Sequence, residues 1–316
     1  MAPPNLSSRD PEMLQAAFEN RLQRDVLLAP YTAARVGGPA DFFLEVRSAG
    51  ELSEAVSLLW EGDSDFLILG GGSNVLVSDR GVREVVLLNR ARHVLFNASG
   101  NPPTVWAESG ANFGVMARKA ARRGLSGLEW AAGIPGTLGG AVVGNAGAHG
   151  GDVAGNLLVA EILQRNAQAR PRSYRSQWPV ERLKFGYRSS FLKGKSDSFV
   201  VLAAQLRLER SSPEEVKTRI SEYTDYRRIT QPPGASMGSM FKNPPGDYAG
   251  RLIEEAGLKG TRVGGAEISK LHANFFLNHG HATAADIYNL IQIARERVME
   301  KFDLTLELEI VLIGEW

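Results

Sequence analysis

Glu129 to Asp152 reads EWAAGIPGTLGGAVVGNAGAHGGD, and the rest of the chain is read outward from it. Eight of these twenty-four residues are glycine: Gly133, Gly136, Gly139, Gly140, Gly144, Gly147, Gly150 and Gly151. Glycine at this density lets the backbone take positive φ and brings N–H groups up to a ligand with no Cβ in the way. Converging N–H groups form an anion-binding nest. The flanks Leu125, Leu128, Trp130 and Ala131 are apolar, so this is no exposed linker. Two readings are open from the stretch alone, a cradle for a phosphorylated cofactor and a tight structural crossover. The first is preferred, because a buried loop of glycine and proline builds a core poorly.

A chain of 316 residues exceeds the usual single-core size, so two or three domains are expected. Hydrophobic residues at 43% and charged residues at 22% are ordinary for a globular protein. A net charge of +1 gives no broad footprint for nucleic acid or a membrane surface. The absence of cysteine excludes disulfides, iron–sulfur clusters, thiolate zinc sites and a cysteine nucleophile. The start, MAPPNLSSRDPE, lacks the basic and apolar regions of a signal peptide, and no uncharged apolar run reaches the roughly 20 residues of a spanning helix. A cytoplasmic monomer is expected, with no nucleic-acid or membrane partner.

Residues 1–12 read as a loose tail and 13–22 as a short amphipathic helix. A loop, PYTAARVGGPAD at 30–41, leads into a strand at 42–46. Ser48 and Glu51 have the spacing of a capping box, and Leu52, Ala55, Val56 and Leu59 give the stripe of a helix. A strand at 66–69 runs into Gly70-Gly71-Gly72-Ser73-Asn74, and strands follow at 75–77 and 85–88. This β-α-β start invites a Rossmann reading, which fails. The dinucleotide fingerprint needs G-x-G-x-x-G opening a helix, and here the glycines run into the β-type Val75-Leu76-Val77.

A second unit begins with strands at 94–96 and 104–107. Asn112 caps a helix whose buried face carries Phe113, Met116, Ala117 and Ala120. After the glycine stretch come a strand at 157–164, polar irregular sequence to Arg188, and a strong strand at 199–208. Ser212-Pro213-Glu214-Glu215 starts a helix with Val216, Ile220 and Tyr223 on its buried face, and a third unit is expected to open there. It contains a loop at 231–245, a helix at 248–256, a strand-like segment at 273–277, a long helix at 284–302 and a closing strand at 304–313.

Four constellations bear chemistry. Gly70–Asn74 and the loop 133–151 together can surround a pyrophosphate through backbone N–H groups, without a lysine. Ile134, Pro135, Val142 and Val143 offer an apolar wall for a planar ring. In FGYRSSF at 185–191, Arg188 reads either as a half-buried cation for a carboxylate or enolate or as the partner of a structural glutamate. In SMGSMFKNP at 236–244, a serine hydroxyl is either a proton donor or a turn serine, with Lys242 as a phosphate or acid clamp; no G-x-S-x-G elbow marks a serine hydrolase. Glu307 and Glu309 alternate with Leu306, Leu308 and Ile310, so they share one side of the closing strand, solvated or delivered to a site. His272, His279 and His281 lack the further ligands of a metal site, and no metal is expected.

In this order, YTAARVGGPAD, LGGGSNVLVSD, AGIPGTLGGAVVGNAGAHGGD, FGYRSSF, GSMFKNP, EEAGLKG and LELEIVLIG resemble the UDP-N-acetylenolpyruvoylglucosamine reductase family, over 31–314. The resemblance implies an α+β, vanillyl-alcohol-oxidase/PCMH-type FAD-binding fold. Its FAD subdomains would fall at 1–89 and 90–210, and a substrate domain at 211–316 would return its last strand to the active site. It implies FAD as cofactor, NADPH as hydride donor and an enolpyruvyl ether of UDP-N-acetylglucosamine as substrate. Carried over by motif, FAD would be held by Tyr31, Arg35, Val36, Gly70, Gly71, Gly72, Ser73, Asn74, Gly110, Gly133, Ile134, Pro135, Gly136, Gly139, Gly140, Asn145 and Gly147. Arg188 and Glu309 match residues that stabilise and polarise the enol intermediate, and Ser239 the proton donor. Tyr187, Arg227, Lys242 and Asn243 match substrate-side positions. Two departures stand out: Gly144, where many relatives carry a bulkier residue, and His149, where tyrosine is common. The short region after Arg188 points to the shorter subclass. Another flavin oxidase of the same fold and a non-catalytic nucleotide-sugar binder are the competing readings; GSMFKNP argues against the first and the trio Arg188, Ser239 and Glu309 against the second.

Overall fold

Strand Phe199–Arg207 is buried at Val200 through Ala204 and again at Leu206, a run with no polar alternation because apolar clusters pack on both faces. Val200 and Leu202 join one cluster and Val201 and Leu206 the other. This is the central strand of a five-stranded antiparallel sheet in a computed structural model that describes residues 10–166, 168 and 171–316. The order is Ser173–Pro179, Leu157–Arg165, Phe199–Arg207, Thr104–Glu108, Val94–Asn97. One row of the register runs Trp178, Ala160, Ala204, Ala107, Val94. The three central alanines keep the sheet thin where helix Leu138–Gly144 packs against it.

Strand Ser173–Pro179 corrects the expectation of irregular sequence up to Arg188. It is an edge strand in which only Trp178 is buried, so its composition is polar and its pattern faint. Helix Asp10–Phe18, closed by a 3₁₀ turn at Glu19–Arg21, begins before the expected position and takes in the end of the supposed tail; the tail at 1–9 lies outside the described residues. Helix Ala49–Glu61 is capped as expected, the Glu51 N–H donating to Ser48 Oγ at 3.1 Å. The Glu51 carboxylate accepts from the Arg47 N–H, not from Ser48. Asn112 caps helix Phe113–Ala121 through the Val115 N–H at 2.8 Å. Strand Phe66–Leu69 lies parallel to Val85–Leu88.

The chain divides into two compact units. One comprises Met1–Arg24, Phe42–Gly71 and Glu84–Asp225; the other comprises Asp25–Asp41, Gly72–Arg83 and Tyr226–Trp316. Strand pairing and capping explain why early segments group with the C-terminal one. Val311–Ile313 pairs in parallel with Val75–Val77, and the Asp79 carboxylate accepts the Ala284 and Ala285 N–H groups at 2.8 and 2.9 Å. With the capping box of Thr283 and Asp286, these contacts satisfy the first amides of helix Ala284–Phe302, groups a helix cannot pair internally. The long helix Pro213–Thr230 does not open a new unit at its start, since the division falls between Asp225 and Tyr226.

The closing strand is shorter than expected. Only Val311–Ile313 is a strand; residues 304–310 contribute one bridge, Phe241 to Leu308. Within the same unit, Arg262–Val263, Ala266–Ile268 and Phe276–Asn278 form a three-stranded antiparallel sheet. Glu267 is buried there at 4% exposure, accepting from Arg262 Nε at 2.6 Å and lying 2.9 Å from His279 Nε2. Burial pulls its pKa up, but the hydrogen bonds and charges of Arg262 and His279 carry it below the ordinary 4.5. A depressed carboxylate pKa stabilises the fold above the unfolded value, and that stability is lost as pH falls through the folded value. Glu267→Gln is expected to cost about 1–3 kcal/mol at pH 7, with the difference from the unsubstituted protein shrinking below pH 4.5. Urea unfolding at both pH values measures it.

Candidate active site

In the first unit the two glycine loops meet backbone to backbone. A Cβ on Gly70 would lie 2.5 Å from Thr137 Oγ1, and one on Gly71 would lie 2.9 Å from the Cα of Gly136. The loop is stitched to the segment before helix Phe113–Ala121 by Leu138 N–H to Ala111 O, Gly139 N–H to Ser109 O and Phe113 N–H to Gly136 O. Gly110 in that segment lies so close to Asn89 and Ala91 that a Cβ would come within 2.6 Å of each. These glycines are required by the protein's own packing.

Gly140 and Gly144 are different. A Cβ on Gly140 would meet only Thr137 Oγ1 at 3.8 Å, and one on Gly144 nothing within 4 Å. Glycine in a helix costs about 1 kcal/mol relative to alanine, so bare backbone where no protein atom demands it fits a flat ligand packed directly on the chain. The departure at Gly144 removes no protein contact. Ile134 and Val143, at the margin of the apolar cluster beneath, are half-buried, while Pro135 is exposed.

Downstream, Gly147–Ala148 and Gly151–Asp152 form a hairpin around His149 and Gly150, both at positive φ, the geometry of a tight two-residue turn. The indole of Trp130 lies under the return strand, 2.4 Å from where a Gly151 Cβ would sit. Asn145 is left-handed at φ 45 and ends the preceding helix. Its amide donates to Asp152 Oδ2 and Gly186 O, and its oxygen accepts from the Ala154 N–H. The side chain expected on the cofactor is therefore engaged in tying the loop to the 185–191 segment.

That segment turns tightly at Tyr187-Arg188, with Gly186 and Ser189 exchanging backbone hydrogen bonds. Arg188 adopts φ 53, a costly conformation for a side-chain-bearing residue. Its Nη1 donates to Gly147 O at 2.9 Å, and its guanidinium lies 5.7 Å from the centre of the Tyr187 ring. Ser190 Oγ donates to Val143 O, and Lys193 Nζ to Arg188 O. A cleft of about 590 Å³ is lined by Asn145, Gly147, His149, Phe185, Tyr187 and Arg188, within the size range of ligand sites.

The second unit carries the remaining expected residues. Gly72, at φ +60, approaches Tyr31 so closely that a Cβ would fall 2.0 Å from Tyr31 O. The Ala33 N–H donates to Gly72 O, and Thr32 Oγ1 closes the turn to Val36. Arg35 is exposed at φ 56. Asn74 Nδ2 donates to Glu309 O, and the Glu309 N–H donates to Met240 O. Ser239 is half-buried beside them, bridged to Phe275 and held between the buried Met237 and Met240. The unit thus brings Asn74, Ser239 and Glu309 together. Lys242 Nζ pairs with Glu307 Oε2 at 2.9 Å, and this contact holds the Glu307 carboxyl below its ordinary pKa. Asn243 Oδ1 accepts the Ala249 N–H at the start of helix Ala249–Glu255. Burial pulls the Arg227 guanidinium below its ordinary pKa.

Sequence reasoning missed Asn274. Its side chain accepts from the Phe241 N–H and donates to Phe241 O, pinning the loop that presents Ser239. The only signal was its place after His272-Ala273, read there for metal alone. Asn278, which donates to Ala34 O beneath the 31–36 turn, left no signal.

A family model described as "UDP-N-acetylenolpyruvoylglucosamine reductase, C-terminal domain" matches residues 230–313, and one described as "FAD binding domain" matches 40–165. A UDP-N-acetylenolpyruvoylglucosamine reductase of Chloroflexus aggregans is 42% identical over 90% of this chain and 95% of its own. One of Rubrobacter xylanophilus is 44% identical over 95% and 96%. The crystal structure of the corresponding reductase from Thermus caldophilus superposes with a TM-score of 0.77 at 38% identity, covering 93% of this chain and 99% of that one.

The glycine geometry separates two neighbouring substitutions. Gly151→Ala, forced against Trp130, is expected to cost about 1–3 kcal/mol by overpacking, whereas Gly144→Ala is expected to leave stability unchanged or raise it by up to about 1 kcal/mol. Denaturant midpoints of the two variants measure the contrast.

Proposed function

The chain belongs to the UDP-N-acetylenolpyruvoylglucosamine reductase family, and from that premise we propose which of its residues do the work. It is an FAD-containing oxidoreductase of α+β fold that reduces the enolpyruvyl ether of UDP-N-acetylglucosamine-enolpyruvate to UDP-N-acetylmuramate, with NADPH as donor, in peptidoglycan precursor synthesis. FAD supplies the chemistry of hydride transfer from NADPH to the vinyl carbon. The residues that would hold it are the loops 70–74 and 133–147, with Gly110 and the turn at Tyr31, Arg35 and Val36. Segments 1–89 and 90–210 are assigned to FAD and, because 211–225 belong to the first unit, Tyr226–Trp316 to the substrate.

The observation that carries the reading is Arg188, held in a strained left-handed turn with its guanidinium on Gly147 O at the edge of the glycine cleft. Strain of about 1–3 kcal/mol persists where the surroundings over-determine it, and such sites cluster where ligands act. As hydride arrives at the vinyl terminus, charge develops toward the substrate carboxylate. A preorganised guanidinium lowers that barrier electrostatically. Glu309 helps polarise the same intermediate, and Ser239 delivers the proton to the α-carbon. Tyr187, Arg227, Lys242 and Asn243 hold the nucleotide sugar. We take the protein as a cytoplasmic monomer; its net charge of +1 offers no broad electrostatic footprint for nucleic acid or a membrane surface, and no described helix is long and apolar enough to cross a membrane.

The purified protein is expected to show a flavin absorption spectrum that bleaches on anaerobic addition of NADPH; a protein that stays colourless after added FAD would sink the reading. In Ser239→Ala, bleaching by NADPH is expected to survive while reoxidation by the enolpyruvyl substrate slows roughly 10²–10⁴-fold, the worth of general-acid catalysis. Stopped-flow absorbance reads both steps.

A further inference from the structure

We propose that His149 and Tyr223 form a stacked pair that positions the Arg188 guanidinium. The inference rests on the proposed role of Arg188. The two rings lie 4.2 Å apart and 8° from parallel, face to face across elements distant in sequence. His149 is the first residue of the two-residue hairpin turn and takes φ 52. Asparagine, aspartate or glycine suits that place better. A ring held by a stacking partner there, where its backbone is strained, points to a side chain whose contact matters.

That contact reaches Arg188 in two steps. Tyr223 is anchored on helix Pro213–Thr230, where with Ile220 it packs on the apolar cluster beneath the sheet. Its ring holds His149 at the hairpin tip. The outgoing strand of the same hairpin begins at Gly147, paired with Asp152, and the Gly147 carbonyl accepts from Arg188 Nη1. The return strand is fixed separately by Trp130 under Gly151 and by Asn145 on Asp152. The hairpin is therefore clamped at its base by the protein core and at its tip by the stack, and the tip clamp sets the angle at which Gly147 O meets the guanidinium. His149 and Tyr223 are positioning residues; neither is required to touch the reacting atoms.

His149→Ala and Tyr223→Ala, studied as holoenzyme by stopped flow, test this. Misplacing a catalytic group by about 1 Å costs up to about 10²-fold. Each variant is expected to keep the NADPH half-reaction within about twofold and to lose about 10- to 100-fold in the rate of reoxidation by the enolpyruvyl substrate. The loss should fall on kcat more than on KM. The double variant should be no slower than either single one, and His149→Phe, which restores a ring, should recover the rate to within about threefold. A readout without flavin accompanies these. In the apoprotein, the Arg188 Nε–H resonance, assigned by its absence in Arg188→Lys, should exchange faster with solvent in His149→Ala than in the unsubstituted protein or His149→Phe. Reoxidation unchanged in His149→Ala would overturn the proposal. So would equal slowing of both half-reactions in step with a lowered melting temperature, the mark of mere structural support. An unsubstituted protein reduced by NADPH but not reoxidised by the enolpyruvyl ether would instead remove the reading of Arg188, and the pair's role with it.

Discussion

The approach of Gly70 and Gly71 to Gly136 and Thr137 leaves no room for a Cβ on either glycine. Much of the first unit's site depends on that constraint. Two stretches of main chain can come this close only if their side chains are absent, and once they do, their polar groups must be satisfied locally. The 109–113 segment does this by pairing with 136–139, which in turn aligns helix Phe113–Ala121, capped at Asn112. A flat sheet edge would not have sufficed, because the loop must turn twice between Thr137 and Asp152.

Strain gathers on the same loop and its neighbour. Asn145, His149 and Arg188 all take φ near 50°, and all three line one cleft. Each is held by a different device: Asn145 by three side-chain hydrogen bonds, His149 by a stacked ring, and Arg188 by a two-residue turn closed at Gly186 and Ser189. Left-handed conformations of this kind persist only when several contacts agree on them. A cation fixed this way has little reorganisation left to perform when charge develops beside it, which is the economy behind electrostatic preorganisation.

What could be read from the sequence follows from how local each signal is. The long helix Ala284–Phe302 was legible because its apolar residues recur at helical spacing, and the strands at Phe66–Leu69 and Val75–Val77 because they are short unbroken apolar runs flanked by glycine and turn residues. The glycine stretch announced a loop of close approach. Strand Ser173–Pro179 was not legible, since one buried tryptophan among polar residues makes no pattern. The alternation of Leu306, Glu307, Leu308 and Glu309 suggested a longer strand than exists. Leu306 and Leu308 join the apolar cluster of Met240 and Phe241, while the backbone makes only isolated hydrogen bonds to that segment, from Lys242 N–H to Glu307 O and from Glu309 N–H to Met240 O, without a continuing ladder. The grouping of 25–41 and 72–83 with the C-terminal segment lies in tertiary pairing, which no local period encodes.

Asparagine does the work that periodicity cannot advertise. An asparagine side chain offers a carbonyl and an amide in the geometry of a peptide group, so it can complete a backbone that has left regular structure. Asn274 does this for Phe241 on both N–H and C=O, Asn145 for Gly186 and Ala154, and Asn278 for Ala34, Gly280 and Ala282. In each case the loop so completed carries or adjoins a residue assigned to the reaction or the cofactor: Ser239, Arg188 and the turn at Arg35. Irregular backbone is where a reacting group can be aimed freely, and irregular backbone is also where main-chain groups go unpaired. A side chain that imitates the missing peptide resolves that conflict. It does so at positions whose identity looks like an unremarkable polar residue until the partner segment, dozens of residues away, is seen beside it.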